Sequence, residues 1–489
     1  MNSPDNAPQT PGTSRRIVID PVSRVEGHGK VTLLLDENNR LQEARLHIVE
    51  FRGFEKFIEG RPYWEVPILV QRLCGICPVS HHLAAAKAID QIVGVKQLTP
   101  SAEKTRRLLH YGQVLQSHAL HFFHLASPDL LFGFTSDLHQ RNIIQVIKDH
   151  PDIGRQGIQL RKFGQEIIQL ISGKRIHGVV AVPGGVNRTL DAKQRDYLRA
   201  QLDHALELSQ KAVALAKNLY LSHYDFHQRF GAIETSFLGL VDANGALELY
   251  DGKIRIKNKN GDIYKDQLDA TRYFDYIQEE VRSWSYMKFP FLSELGIENG
   301  WYRVGPLARI NTCDHISTPL AEQARQEFSQ YHHGMAQAPL AYHWARMIEL
   351  LHCTEAIAHM LNDPDIVGND LLVEGQACAE GVGVIEAPRG TLFHHYQVNE
   401  EGLIEIANLI VSTTQNNQAM NNSVLAVAKE YIDGQTVTEG ALNQIEVAIR
   451  AYDPCLSCAT HALGKMPLFV ELLNHQGQRV FAQRSRGES

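Results

Sequence analysis

Cysteine is scarce in this chain, with seven among 489 residues, which excludes a small scaffold stapled by disulfides and suits a reducing compartment. No stretch approaches the roughly 20 apolar residues needed to cross a bilayer, so no membrane span is expected. Long basic runs are also missing and the net charge is −7, which argues against nucleic acid and anionic membranes as partners. Arg15 and Arg16 are followed by IVIDPVSRVEG, where an export signal would need an apolar segment. Export by a signal of its own is therefore not expected, and the expected location is cytoplasmic. No G-x-G-x-x-G opens a helix after a strand, because Glu386 interrupts GVGVIEAPRG. There is no P-loop either, so the chain is not expected to bind a nucleotide. A hydrophobic content of 44% and a charged content of 21% are those of a globular protein with ample core.

The first residues, 1–15, are polar and proline-rich and read as a disordered tail. From Arg16 to about Gly53 the pattern is β, with KVTLLLD and LQEARLHIVEF forming a hairpin around Glu37-Asn38-Asn39. Helices dominate from Gln71. Thr99 and Pro100 read as the N-cap and first residue of a long helix that stops near Ser127 and Pro128. Over 191–222, Leu198, Leu202, Leu206, Val213 and Leu219 recur at helical spacing. Short strands follow around Leu247–Tyr264, then helices from about Pro319 to His359. A second β patch over roughly Val382–Thr414 precedes the last helices. The expected fold class is α+β, mainly α with small β-sheets, in one unit without repeats or internal linkers.

Four of the seven cysteines form two matching pairs, Cys74-Gly-Ile-Cys77 and Cys455-Leu-Ser-Cys458, each with the spacing that lets two sulfurs reach one metal. Pro78 and Ser80 after Cys77, and Asp453-Pro454 before Cys455 with Gly464 beyond, place both pairs where a loop becomes a helix. A helix N-terminus favours the thiolate that metals require. The plain alternative is a structural zinc bound by four cysteines. Zinc ribbons separate their pairs by some 15–20 residues, whereas Cys77 and Cys455 stand 378 positions apart (455 minus 77). Sharing a metal would require both ends of the chain to meet. Cys313, Cys353 and Cys378 have no such company and read as small core residues. His118, His121 and His124 follow one another at i, i+3, and burial beside a proton path or partner surface explains them more plainly than a metal cluster.

The surroundings of the pairs go further. RLCGICPVSHH, DPCLSCATH, RVEGHGK, FRGFEKF and EAPRGTLFHHY together resemble the large, catalytic subunit of nickel–iron hydrogenases, in the expected order from about Ile17 to Val470. VEFRGFEKFIEGRP, QSHALHFFHLASPD and AYDPCLSCATHALG look most like the cytoplasmic, bidirectional, NAD-reducing branch. The resemblance implies the large-subunit fold over 16–461 and reversible heterolytic cleavage of H2. It implies a nickel held by Cys74, Cys77, Cys455 and Cys458, with Cys77 and Cys458 bridging to an iron that carries CO and CN. Cys455 would release the proton to Glu26, which in another setting would be an ordinary turn glutamate. Arg389, after Pro388, would lie over the metals and donate to a cyanide, with Asp453 as its carboxylate partner or simply a helix N-cap. Either Ser412 or Thr413 would cap the other cyanide. Glu55, the Leu409 carbonyl and His461 match a Mg2+ site. One departure is Ser117, where many respiratory relatives carry an aspartate beside the arginine.

A dedicated maturation protease would cut after His461 and remove 28 residues, Ala462 to Ser489. With four cysteines committed, too few remain for iron–sulfur clusters, so electrons must leave to another polypeptide, and the resemblance implies that it is a small subunit bearing an Fe-S cluster. Diaphorase subunits binding FMN and NAD would follow. Kindred readings are an NADP- or deazaflavin-linked hydrogenase or a hydrogen sensor. A respiratory quinone-reductase-like scaffold subunit is the non-catalytic alternative, marked by loss of the cysteine pairs, which this chain retains.

Overall fold

Two glycines decide how the first cysteine pair is carried. Strands Glu380–Ala387, Gly390–Val398 and Ile404–Ile410 form an antiparallel three-stranded sheet in that order. Helix Pro78–Ile92 lies against it. A Cβ at Gly381 would fall 2.0 Å from the Ala88 carbonyl oxygen, and one at Gly383 1.9 Å from that of Ala84. Any side chain at either position would lift the helix off the sheet. The helix answers with Ala84, Ala85, Ala86 and Ala88, all buried. Cys77 is its N-cap residue and Pro78 its first, as the sequence predicts. Ala387 pairs with Gly390, so Pro388 and Arg389 form the two-residue turn between the first two strands.

The computed structural model describes residues 16–20, 22–36, 41–48, 53–432, 437–456, 469–473 and 479–484. The expected N-terminal tail and the tip of the first hairpin lie outside them. Gly29–Leu35 and Leu41–Ile48 form that hairpin, and Arg16–Asp20 pairs along its outer side. Phe469–Leu473 adds to Arg16–Asp20, and Arg479–Arg484 adds beyond it, completing a five-stranded antiparallel sheet. Two strands from beyond His461 thus extend the N-terminal sheet.

Helices Pro100–Leu120, Pro151–Ser172, Leu202–Leu221 and Ala341–Asn362 share the main apolar core, with Leu108, Val114, Leu160, Ile167, Ala212, Trp344 and Ile348 buried in it. Thr99 caps the first of these by accepting from the Ala102 N–H at 3.1 Å. The expected stop near Ser127 is not observed. The helix widens into one π-type stretch, His121–Ala126, and continues as Ser127–Phe132. Pro128 has no N–H to donate, while the Ser127 hydroxyl bonds the Phe123 carbonyl at 2.6 Å, so the chain bulges there without ending. The helix expected over 191–222 is two helices, Ala192–Arg199 and Leu202–Leu221. Between them the Gln201 N–H bonds the Leu198 carbonyl at 3.1 Å, a tighter i→i+3 turn that redirects the axis.

A buried charge cluster ties the elements around the site together. Arg309 grips Glu349 at 2.6 and 2.7 Å and Glu386 at 2.7 Å, and His118 lies 2.9 Å from Glu349. All four side chains are buried. Burial opposes ionisation of Glu349, but Arg309 and His118 hold its pKa down at about 2. Such a cluster is tolerable only while every member keeps its partners.

Candidate metal centre

A short 3-10 turn, Val70–Leu73, delivers Cys74 in extended conformation. Gln113 and Gln116 of the long helix donate to the Ile76 carbonyl at 3.0 and 3.2 Å and pin the loop between the two cysteines. The Cys77 N–H donates to Cys74 Sγ at 3.1 Å, and the two sulfurs stand 2.6 Å apart. Cys455 Sγ lies 3.1 Å from Cys74 Sγ although 381 positions separate them. The two ends of the chain do meet. Among the described residues this trio is the one group of three or more Cys, His, Asp or Glu side chains whose ligand atoms converge. Cys458 and His461 lie outside the described residues.

Cys455 is set in place by the RVEG segment. Glu26 and Cys455 form a parallel bridge, and the Leu456 N–H donates to the Glu26 carbonyl at 2.7 Å. Arg24 and Arg450 both grip Asp129, Arg24 at 2.5 Å. Arg450 also reaches the Ser23 carbonyl at 2.9 Å. These contacts lash the N-terminal segment to the last helix, Glu439–Ala451. Cys455 is therefore held in an extended bridge. Asp453 follows the end of that helix with a left-handed backbone, φ 54°, so it is no N-cap among the described residues.

Cys77 and Cys455 open into a small cavity walled by His81, Pro388, Arg389, Ser412 and Thr413, with Ala387, Leu392 and Val411 as its apolar sides. Arg389 donates to Asp453 twice, through Nε to the main-chain oxygen at 2.7 Å and through Nη2 to Oδ1 at 2.9 Å. Burial alone would loosen its proton, but Asp453 and the three sulfurs outweigh it and keep the guanidinium charged. Burial lifts the Asp453 carboxyl above its ordinary range against the pull of Arg389 and Arg346. Ser117 Oγ lies 3.4 Å from Arg389 Nη1, so an uncharged residue stands beside the arginine. Ser412 donates to the Gly390 carbonyl at 2.6 Å, whereas Thr413 Oγ1 accepts from the Cys455 N–H at 3.0 Å.

The donor set fits a soft metal. Hydrogen bonding to Cys74 and Cys77, then burial, pushes the Cys455 thiol well above its ordinary pKa. Protons are thus held on Cys77 and Cys455 where a metal would replace them with bonds. The charged Arg389 faces the same cavity and calls for an electron-rich group.

Glu55 Oε1 accepts the Leu409 N–H at 2.9 Å, so these two members of the expected second site are together. Lys288 Nζ lies 3.9 Å from Glu55 and 3.0 Å from Glu279, and the buried Glu279 Oε1 finds no hydrogen-bond partner among the described residues. Oxygen donors of this kind suit a hard cation. His118, His121 and His124 do not converge. His118 serves Glu349, and His121 Nε2–H donates to the Arg450 carbonyl, 2.7 Å away. Cys313 and Cys353 are buried as expected, but Cys378 is exposed, because it lies in the irregular segment leading into strand Glu380–Ala387.

The N-terminal 16–51 match the family profile described as HoxL-like, and 52–134 with 234–461 match that of the nickel-dependent hydrogenases. The chain belongs to the nickel-dependent hydrogenase family. Among its relatives is the NAD-reducing hydrogenase HoxS subunit beta of Cupriavidus necator, 47% identical over 97% of this chain and 100% of that one. Another, from the F420-non-reducing hydrogenase of Methanothermobacter marburgensis, is 44% identical over 92% of this chain and 95% of its own length. Among solved structures, that of an NAD+-reducing [NiFe]-hydrogenase in the H2-reduced state aligns with a TM-score of 0.89 at 56% identity, covering 91% of this chain and 99% of that one. This hydrogenase therefore has the large-subunit fold and a nickel-dependent activity on hydrogen, and the structural-zinc and scaffold readings fall away. No described helix is long and apolar enough to cross a membrane.

His81 and the His394–Tyr396 stretch stand beside the site without having been expected there, although they lie inside RLCGICPVSHH and EAPRGTLFHHY. Their signal was the histidines themselves, SHH at 80–82 and FHHY at 393–396.

Proposed function

We propose that Cys74, Cys77 and Cys455, with Cys458, hold the nickel of a hydrogen-splitting centre, and that Cys77 and Cys458 share an iron carrying CO and CN. The carrying observation is the convergence of three sulfurs from opposite ends of the chain within 3.1 Å steps. When bound, the metal pair supplies an electron-poor centre that polarises dihydrogen toward heterolysis. The remaining steps belong to the chain's own groups. Cys455, as a terminal thiolate, takes up the proton and yields it to Glu26, whose backbone is bridged to Cys455. Glu26 lines a cavity of about 410 Å3 with Gly75, Gln113 and Arg161, a route outward for the proton. Arg389 would donate to one cyanide and would keep its own proton throughout. Thr413 would cap the other: its oxygen already accepts from Cys455, so its own proton is free to donate, whereas that of Ser412 is spent on Gly390. Glu55, the Leu409 carbonyl and His461 would hold Mg2+, in a structural role that ties the chain end to the core.

The relatives whose names state NAD reduction support the electron path of this reading. Electrons pass to a small Fe-S subunit, then to FMN- and NAD-binding diaphorase subunits, in the cytoplasm. NAD is preferred on that ground over NADP, deazaflavin or a sensing role. The test is elemental analysis of the purified complex, infrared spectroscopy, and H2-dependent reduction of NAD beside NADP. Nickel, iron and stretching bands of CO and CN are expected. Zinc alone with no such bands would overturn the assignment.

The extension beyond His461 belongs to a precursor in this reading. Pairing of Phe469–Leu473 with Arg16–Asp20 supports a tail docked on the N-terminal sheet, which a maturation protease removes once nickel is in place. The active, nickel-loaded subunit is expected to end at His461 by intact mass. A full-length chain in that fraction would exclude processing.

A further inference from the structure

A line of three buried side chains runs from the metal cavity into the three-stranded sheet. Tyr396 Oη lies 2.6 Å from His394 Nδ1, and His394 Nε2 lies 3.1 Å from His81 Nδ1. Tyr396 and His394 are fully buried and His81 is 3% exposed. His81 stands one helical turn beyond Cys77 and lines the cavity. Its Nδ1 is taken by His394, which leaves Nε2 for the cavity.

We propose that Tyr396 is a positioning residue for hydrogen cleavage, setting through His394 which nitrogen of His81 carries a proton. The proposal rests on the reading of the centre given above. Both rings are neutral, since burial drives the His81 pKa down to about 4 and that of His394 well below its ordinary value. Each neutral ring then has one donor and one acceptor nitrogen, and only two polarities of the line are possible. In one, the phenol donates to His394 Nδ1, His394 Nε2–H donates to His81 Nδ1, and His81 Nε2–H faces the cavity. The reverse polarity makes the phenol an acceptor and strands its own proton, because no second partner for it exists among the described residues. With the metals bound it would also turn a nitrogen lone pair toward thiolates. Both faults carry the cost of unmatched buried polar groups, so the first polarity holds. Tyr396 thereby presents an N–H to the thiolates or the anionic iron ligands without touching either.

Nitrogen-15 spectra of the full-length chain labelled at histidine, assigned with His81→Gln, read the tautomer directly and without metal. The parent is expected to carry the His81 proton on Nε2, and Tyr396→Phe to lose that preference. A parent with the proton on Nδ1, or a tautomer unmoved in Tyr396→Phe, overturns the proposal. In the holoenzyme, Tyr396→Phe should retain full nickel and iron while its CO band moves to lower frequency, because the thiolates lose a donor and push charge onto iron. His394→Gln accepts at one end and donates at the other and should restore the parent band, whereas His394→Leu should not. A band unmoved in Tyr396→Phe counts against the relay. Absence of CO and CN bands in the parent counts against the centre, and the tautomer measurement still decides the relay.

Discussion

Cys74→Ser is expected to yield a folded subunit that retains no nickel and consumes no hydrogen. Cys74 is the middle of the trio, touching Cys77 at 2.6 Å and Cys455 at 3.1 Å. Serine replaces one atom and keeps the volume nearly constant, so packing around the site survives. Its hydroxyl does not ionise at neutral pH and is a hard donor, unsuited to nickel. Changes among groups that merely orient a metal ligand cost about 10–100-fold in affinity or activity, and loss of a ligand must exceed that. Elemental analysis and hydrogen uptake with an artificial acceptor read both effects. Cys313→Ser is the control, since Cys313 is equally buried but sits against the Ile310 carbonyl, away from the cavity. Normal nickel in Cys74→Ser, or equal loss in Cys313→Ser, would sink the ligand assignment.

How much of this was legible beforehand follows the range of the forces involved. Local signals were reliable: Thr99 with Pro100 caps its helix, Cys77 with Pro78 opens another, and the hairpin of Gly29–Leu35 and Leu41–Ile48 follows its alternation. The sulfur trio was legible because a paired CxxC is chemistry written in spacing. Partners fixed by tertiary geometry were not. Nothing around Glu349 in sequence announces Arg309 and His118, and nothing local tells that Asp453 ends one helix instead of starting another. The wide turn at His121–Ala126 escaped for a related reason. Ser127 and Pro128 look like a helix stop, but tertiary packing carries the chain through and the bulge absorbs the missing N–H. Tyr396 escaped because its role is relayed through His394, and strand alternation alone marks it as an ordinary buried aromatic.

Glu26→Gln should separate the metal centre from the proton route. The contact between Glu26 and Leu456 uses the main-chain oxygen of Glu26, so a change of side chain leaves Cys455 where it is. Glutamine keeps shape and polarity and gives up only the capacity to take and release a proton. Nickel and iron contents and the iron-ligand bands are therefore expected at parent values. Turnover should fall by about 10²–10⁴-fold, the usual worth of a positioned acid–base group. Exchange of hydrogen with solvent deuterium should fall alongside uptake, because both require the proton to leave. Electron exit is removed from the comparison by an artificial acceptor in excess. Glu26→Asp, with a carboxyl set back by one methylene, should recover part of the rate, which a purely structural role for Glu26 would not predict. If Glu26→Gln stayed within about twofold of the parent, far outside that range, the proton would have to leave Cys455 by another path, and the cavity beside Gly75 and Gln113 would lose its assigned role.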